Sequence, residues 1–259
     1  MRLPWLYDCL DDRHKSFSSL ELRGLNLKPL NMRHVESLIR RVWSSILYML
    51  SIRDEKVLQL NLGHGYRAAQ EIIKYAKSVR PEKIVSFDTE TTGLTNEDEV
   101  LQLSIADGYG RPLLNEYVRP QKRSDWPEAQ AIHEISFNDV KSCPTFKSII
   151  PKAHRIFSSA ALILAYNIEF DDRMLRQSGY SLRDSAPATP CVDVMLDYAP
   201  IAHSGDGYRW VSLKECAKHY QVNFNAHNSL EDARATALCF RSMLKDPEYQ
   251  EHCVVPEDI

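Results

Sequence analysis

The sequence predicts an α/β domain built on a mixed sheet flanked by helices, with a helical extension ahead of it. Three observations predict it: an abrupt change of period at Arg80-Pro81-Glu82-Lys83, three alternating strands directly after that break, and a regular exchange of helices and strands thereafter. Upstream of the break, Val35, Leu38, Ile39, Val42, Ile46 and Met49 fall at spacings of three and four across Arg33 to Ile52, the mark of an amphipathic helix. A second helix fits Tyr66 to Val79. The Arg-Pro pair ends that period, because proline lacks an N–H and disfavours helical backbone at the residue before it. The reading therefore divides the chain into a helical extension over residues 1–80, a domain over 81–245 and a tail over 246–259.

Within the domain, IVSFDTE, EVLQLSIAD and RPLLNEYVRP alternate with a period of two and are separated by the turn-forming stretches GLTNED and GYG, which predicts an antiparallel meander. Helical segments are expected around Ser136 to Phe157, then a buried strand ALILAY, a helix from about Glu169 to Gly179 and a short strand near Cys191 to Val194. Helices at Ser212–Tyr220 and Ser229–Leu244 close the domain, the last with Leu230, Ala233, Ala237, Phe240 and Leu244 as its buried stripe.

Composition sets outer bounds. With 44% hydrophobic and 26% charged residues, the 259-residue chain has the make-up of an ordinary globular protein rather than a disordered one. The net charge of −3 hides a contrast: residues 1–80 carry 14 Lys and Arg against 8 Asp and Glu (net +6), leaving 18 against 27 (net −9) for the rest. An acidic body suits a protein that grips phosphates only if some of the acids hold cations. The opening MRLPWLYDCLDD places acids where a leader needs apolar residues, and the apolar-rich run Val42 to Ile52 is too short to span a bilayer. The expectation is a cytoplasmic protein with no membrane partner. Cys9, Cys143, Cys191, Cys216, Cys239 and Cys253 are scattered without a CxxC pair, so they read as reduced, mostly buried thiols.

The chemistry-bearing residues sit in three places. In FDTETTGL, side chains two apart on a strand share a face, so Asp88 and Glu90 point together while Val85 and Phe87 face the other way. Such a pair repels itself, and a hard cation with oxygen ligands is the usual remedy. The plain alternative is two exposed acids at a strand end. In AYNIEFDDRML, a buried strand ends at Tyr166-Asn167 and Asp171 falls in the first turn of the next helix, where a carboxylate could also serve the helix dipole alone. In HNSLEDARATAL, His227 precedes a helix and Asp232 sits in its first turn, with Ser229 and Asp232 open to a capping-box reading.

Taken in order, FDTETTGL, NIEFD and HNSLEDA resemble the three motifs of the DEDDh exonucleases, a ribonuclease H-like family that includes the epsilon proofreading subunit of bacterial replicative polymerases. The resemblance covers roughly residues 82 to 244; AIHEISFNDVKSCPTF and PCVDVM resemble the family's intervening segments. The chain departs from the pattern in having Tyr166-Asn167 where His-Asn is usual, and HEI at His133 where HGI is common. The resemblance implies a ribonuclease H-like fold with a mixed five-stranded sheet. It implies that Asp88, Glu90, Asp171 and Asp232 hold two Mg²⁺ or Mn²⁺ ions about 4 Å apart, one on the attacking water and one on the leaving 3′ oxygen. His227 would be the general base, a role that suits an imidazole near neutral pH, and 5′-mononucleotides would be released. Thr91, Thr92 and Leu94 would grip the terminal nucleotide, with Asn167 supporting the second motif; for a lone Leu94 an ordinary core position is the competing reading.

Asp172, Asp193, His133 and Glu231 read as structural. Gln59-Leu60-Asn61-Leu62-Gly63 is similar to short clamp-binding peptides but lacks their closing aromatic, and the equally similar Gln102-Leu103-Ser104-Ile105 reads as a core strand. The expected partner is a nucleic acid with a free 3′ end, single-stranded or frayed; TETTGL is closer to the proofreading branch and tilts this toward DNA. An exoribonuclease is the competing enzyme, and a strand-end binding module that does not cut is the competing non-enzyme. For residues 1–80, docking of a protein partner or packing on the domain is favoured over direct nucleic-acid contact.

Overall fold

In the computed structural model, β1 (Ile84–Thr91) is the middle strand of a five-stranded mixed sheet of order β3-β2-β1-β4-β5. The structure describes residues 65–186, 188–199, 201–202 and 211–252. The helix expected at Arg33–Ile52, the Gln59–Gly63 segment, Cys9 and Cys253 lie outside them. β2 (Val100–Asp107) runs antiparallel to β1, and β3 (Pro112–Tyr117) antiparallel to β2, which is the expected meander. β4 (Leu162–Ala165) is parallel to β1 and β5 (Cys191–Asp193) parallel to β4.

Parallel neighbours need helical crossovers, and these clothe the sheet. Ahead of the sheet lies α1 (Gly65–Ser78); between β3 and β4 come α2 (Pro127–His133), α3 (Phe137–Val140) and α4 (Phe146–Ser159). α5 (Ile168–Gln177) and α6 (Leu182–Ser185) join β4 to β5, and α7 (Val194–Tyr198), α8 (Leu213–His219), α9 (Ser229–Met243) and α10 (Pro247–His252) follow. The period-two alternation of β1 divides the core into two layers. Val85 and Phe87 pack with Leu103, Ile105, Phe157 and Met174 under α4 and α5, with Phe87 and Phe157 edge to face at 5.3 Å between centroids. Ile84 packs on the opposite face with Leu162, Leu164, Val192 and Phe240.

Two details differ from expectation. α9 buries Ala233, Ala237, Phe240 and Leu244 as expected, but also Ala235, Thr236, Cys239 and Met243, while Leu230 is only half-buried. Its small residues let the helix lie close across β1 and β2, so its buried face is wider than one stripe. α2 was not expected, because PEAQAIH is short and carries no apolar period. Upstream of Pro81, Ile73 and Ala76 of α1 are buried in the layer around Ile84, and Tyr75 Oη donates to Ala161 O at 3.1 Å. The core thus draws on residues ahead of the proline break.

Candidate active site

β1 carries its acids where one of its ladders runs out. It pairs with β4 only over Ile84–Ser86, opposite Leu162–Leu164, so its β4-side edge has no strand partner further on. A buried backbone N–H left there is costly unless it finds an acceptor. Asp171 supplies one: its Oδ1 accepts from Thr89 N at 3.0 Å and from Thr89 Oγ1 at 2.6 Å. Asp171 is 2% exposed in the first turn of α5. The helix begins there because Asn167 turns the chain through a left-handed conformation (φ 68°) just after β4, which asparagine tolerates well. Asp193 holds the turn: its carboxylate accepts from Asn167 N at 3.0 Å and Ile168 N at 3.2 Å, and caps α7 through Met195 N at 3.0 Å. Asp193 is structural, as read. Asn167 is exposed, and Asp172 pairs with Arg176 at 3.3 Å.

Asp88 and Glu90 face α9, and one oxygen each from Asp88, Glu90 and Asp232 lie within 4.8 Å of one another. Asp171 stands beside this trio, within electrostatic reach of Asp88. The capping-box reading of Ser229 and Asp232 does not hold. Asn228 is the cap, its side chain accepting from Glu231 N at 3.3 Å, while the fully buried Ser229 hydroxyl bonds Ser104 Oγ at 2.7 Å across to β2. Asp232 is thereby free to face β1, with Oδ2 accepting from His227 N at 3.0 Å. His227 is exposed and itself left-handed (φ 67°), an outlier of the kind that gathers at functional sites.

Burial and mutual repulsion make these acids costly to charge. Burial, then Asp171, Asp232 and Glu90, push Asp88 well above the ordinary carboxylate range. Burial, then Asp232 and Asp171, push Glu90 up to about 8. Burial raises Asp171 to about 7 despite the Thr89 bonds that oppose it, and raises Asp232 to about 7 as well. Among the described residues, no ion pair involves any of the four. An all-oxygen set of converging, mutually repelling carboxylates fits a hard divalent cation, whose charge would relieve the repulsion.

Beyond Glu90 the chain forms a tightly bonded loop. Thr91 and Thr92 are buried and their hydroxyls serve the loop: Thr91 Oγ1 donates to Gly93 O at 2.8 Å, and Thr92 Oγ1 donates to Asp98 Oδ1 at 2.8 Å while accepting from Glu99 N at 3.0 Å. Leu94 is not a core residue; it is 75% exposed at the tip. Arg173 of α5 holds the tip by donating to Leu94 O at 3.2 Å and Thr95 O at 3.4 Å. Gly93 is required, since a Cβ there would stand 2.7 Å from Asp98 Oδ2. His133 is a satisfied structural histidine: Nδ1 accepts from Ile135 N at 3.0 Å, which puts the proton on Nε2 to donate to Thr91 O at 3.1 Å. Burial pushes its pKa down. Next to it, Ile132 is 58% exposed at the same end of β1. Thr89, Asn228, Arg173 and Ile132 escaped the sequence reading. Thr89 lies on the opposite face from its acidic neighbours, with Val85 and Phe87, so strand alternation alone does not associate it with them.

The RNase_T exonuclease family model matches residues 85–240, a span that takes in Asp88, Glu90, Asp171, His227 and Asp232. The chain is a DEDDh exonuclease. Among relatives of this exonuclease, the uncharacterized exonuclease CP81 of Escherichia phage 186 is 30% identical over 176 residues, covering 64% of this chain and 90% of that protein. RNA exonuclease 4 of Candida albicans is 28% identical over 181 residues, 67% of this chain and 59% of that one. The zinc-bound ExoI–ssDNA complex of E. coli shares the fold at 18% identity and a TM-score of 0.54, over 67% of this chain and 43% of that chain. This DEDDh exonuclease is therefore a metal-dependent 3′-5′ exonuclease acting on nucleic acid with a 3′ end.

Proposed function

We propose that the exonuclease removes single nucleotides from the 3′ end of a single-stranded or frayed DNA strand, releasing 5′-mononucleotides. The observation that carries this is the convergence of Asp88, Glu90 and Asp232 at the end of β1, with Leu94 exposed on the loop that follows Glu90 and Ile132 exposed next to His133, whose ring bonds Thr91 O. Asp88, Glu90, Asp171 and Asp232 are the residues that would hold two Mg²⁺ or Mn²⁺ ions. Bound there, the metals would make water nucleophilic at neutral pH and offset charge on the leaving 3′ oxygen. Asp171 has Oδ2 to offer, since Thr89 occupies Oδ1. His227 takes the proton of the attacking water; its backbone bond to Asp232 holds the loop that presents the ring. Leu94 and Ile132 supply apolar surface to the terminal base, and Thr91 and Thr92 act by shaping the loop that presents Leu94.

DNA is preferred on the form of the first motif, TETTGL. RNA is the second reading, favoured by the likeness to an RNA exonuclease of a yeast. The deciding measurement is a Mg²⁺ time course on matched 5′-labelled single-stranded DNA, duplex DNA with a mispaired 3′ end, and single-stranded RNA, with Asp88→Ala as control. A ladder shortening fastest on the DNA strands supports the proposal. Faster shortening of RNA reverses the substrate, and no shortening of any strand leaves an end-binding module in its place.

A further inference from the structure

The rows that begin with the acids continue across the sheet. Glu90 stands opposite Gln102 on β2, and Gln102 opposite Tyr117 on β3; the neighbouring row runs Asp88, Ser104, Asn115. Side chains in register on neighbouring strands share a face, so these six residues form two polar rows leading outward from the site, buried at Gln102 and Ser104 and exposed again on β3. Their inner members are tied together, with Gln102 Nε2 and Ser104 Oγ both donating to Asn115 Oδ1, at 2.8 and 3.0 Å. Their outer end is open: Tyr117 is 39% exposed on the edge strand. Burial, then the nearby charges of Asp139 and Glu90, push its phenol above the ordinary value.

Past Tyr117 the chain turns basic inside an acidic domain. Residues 119–123, Arg-Pro-Gln-Lys-Arg, are anchored beside the Leu94 loop: the Glu99 carboxylate accepts from Gln121 N at 3.0 Å and from Lys122 N at 2.7 Å. Arg123 pairs with Asp98 at 3.3 Å. Arg119 and Lys122 are exposed, and among the described residues neither makes an ion pair.

We infer that this rim, Tyr117 with Arg119 and Lys122, holds the body of a single nucleic-acid strand whose 3′ end lies in the acid site, with a base stacked on the Tyr117 ring and phosphates on the two cations. The inference rests on the strand-end reading above. An aromatic face beside exposed cations is what sequence-tolerant single-strand binding requires, since every base has a π-face and every nucleotide a phosphate. The rim's charge opposes that of the domain around it. The rim is joined to the site from below, through the buried Gln102 between Glu90 and Tyr117, and at the surface by the Glu99 bonds that fasten the 119–123 segment beside the Leu94 loop.

The test is binding of 5′-fluorescein oligothymidylates of about two to ten nucleotides, read by anisotropy with Ca²⁺ present to neutralise the acids. Wild-type affinity should climb with length. Tyr117→Ala should flatten that climb and weaken the longest strand about 5- to 100-fold, the worth of one stacked base, while Tyr117→Phe restores it. Tyr117→Leu keeps bulk without a π-face and replaces the alanine variant if that one fails to fold. Arg119→Ala with Lys122→Ala should lower the slope of log affinity against log salt by about 0.7 per lost contact. Unchanged length dependence in the tyrosine variants together with an unchanged salt slope overturns the rim. Shortening of the same strands by wild type in Mg²⁺ reads the reaction separately: binding without shortening sinks the reaction, and shortening with normal binding by the variants sinks the rim.

Discussion

Two acidic pairs lie ten residues apart in the chain, Asp88 with Glu90 on β1 and Asp98 with Glu99 in the loop that follows. All four are at least partly buried, yet their surroundings are opposite. Burial pushes Asp98 up, but hydrogen bonds from Thr95 and Thr92 and the charge of Arg123 pull it below the ordinary range. Glu99 accepts from two backbone N–H groups of the 119–123 loop. Asp88 and Glu90 accept no hydrogen bond from the described residues, face further acids, and are pushed up. A buried carboxylate surrounded by donors is holding the protein together; one surrounded by carboxylates is held in readiness for a ligand.

That contrast can be broken experimentally. The largest effect is expected at the donor-poor pair: Asp88→Ala should remove all 3′ shortening while circular dichroism stays that of the wild type. Retained cleavage would refute the site. His227→Ala should slow shortening at neutral pH by roughly 10²- to 10⁴-fold, as loss of a general base does, and a normal rate assigns the base elsewhere. At the donor-rich pair the effect should fall on stability instead. Asp98→Ala leaves the Thr95 N–H and the Thr92 and Thr95 hydroxyls without their acceptor and should cost about 2–4 kcal/mol in urea unfolding. A variant as stable as wild type would show that the loop does not depend on this carboxylate.

The two pairs should also respond to pH with opposite sign. In the metal-free protein, Glu90 at about 8 and Asp171 and Asp232 at about 7 keep protons that the unfolded chain has already released above about pH 4 to 5. The folded state then binds more protons, so its stability falls as pH rises from about 4 through 8. Asp98 acts in reverse: its contribution is present above the unfolded value and is lost as pH falls through the depressed folded one. In EDTA, the Tm should therefore drop between pH 6 and 8. Mn²⁺ should raise Tm more at pH 8 than at pH 6, because fewer protons compete for the carboxylates, and Asp88→Asn should raise the metal-free Tm at pH 8. A metal-free Tm that does not change over this range is incompatible with a repelling cluster. The smallest effect is expected from Arg173→Ala, which frees the tip of the loop: KM for a strand should rise several-fold with kcat little changed, and an equal fall in kcat would assign Arg173 a part in the chemistry.

Much of this was legible in the residues because it rests on local periodicity. Alternation along FDTETTGL placed Asp88 and Glu90 on one face, and the strand-to-helix step in NIEFD placed Asp171 in a first turn. What sequence could not show are partnerships made by docking. The Thr89–Asp171 bonds join residues 82 apart and the Ser104–Ser229 bridge joins residues 125 apart. The second of these commits Ser229 to the sheet and moves the helix cap to Asn228. Leu94 could be read as core or as exposed because a single leucine carries no period of its own. Its exposure follows from the loop that Asp98 ties together beneath it.

The position of Asp232 on α9 bears on when the enzyme switches on. During synthesis β1 emerges early and the last acid late, since α9 ends only at Met243. A ribosome-bound chain stopped short of that helix carries Asp88 and Glu90 without Asp232 or His227. Growing chains thus hold an incomplete cutting centre, and destructive activity arises only once the final large helix has settled onto the sheet.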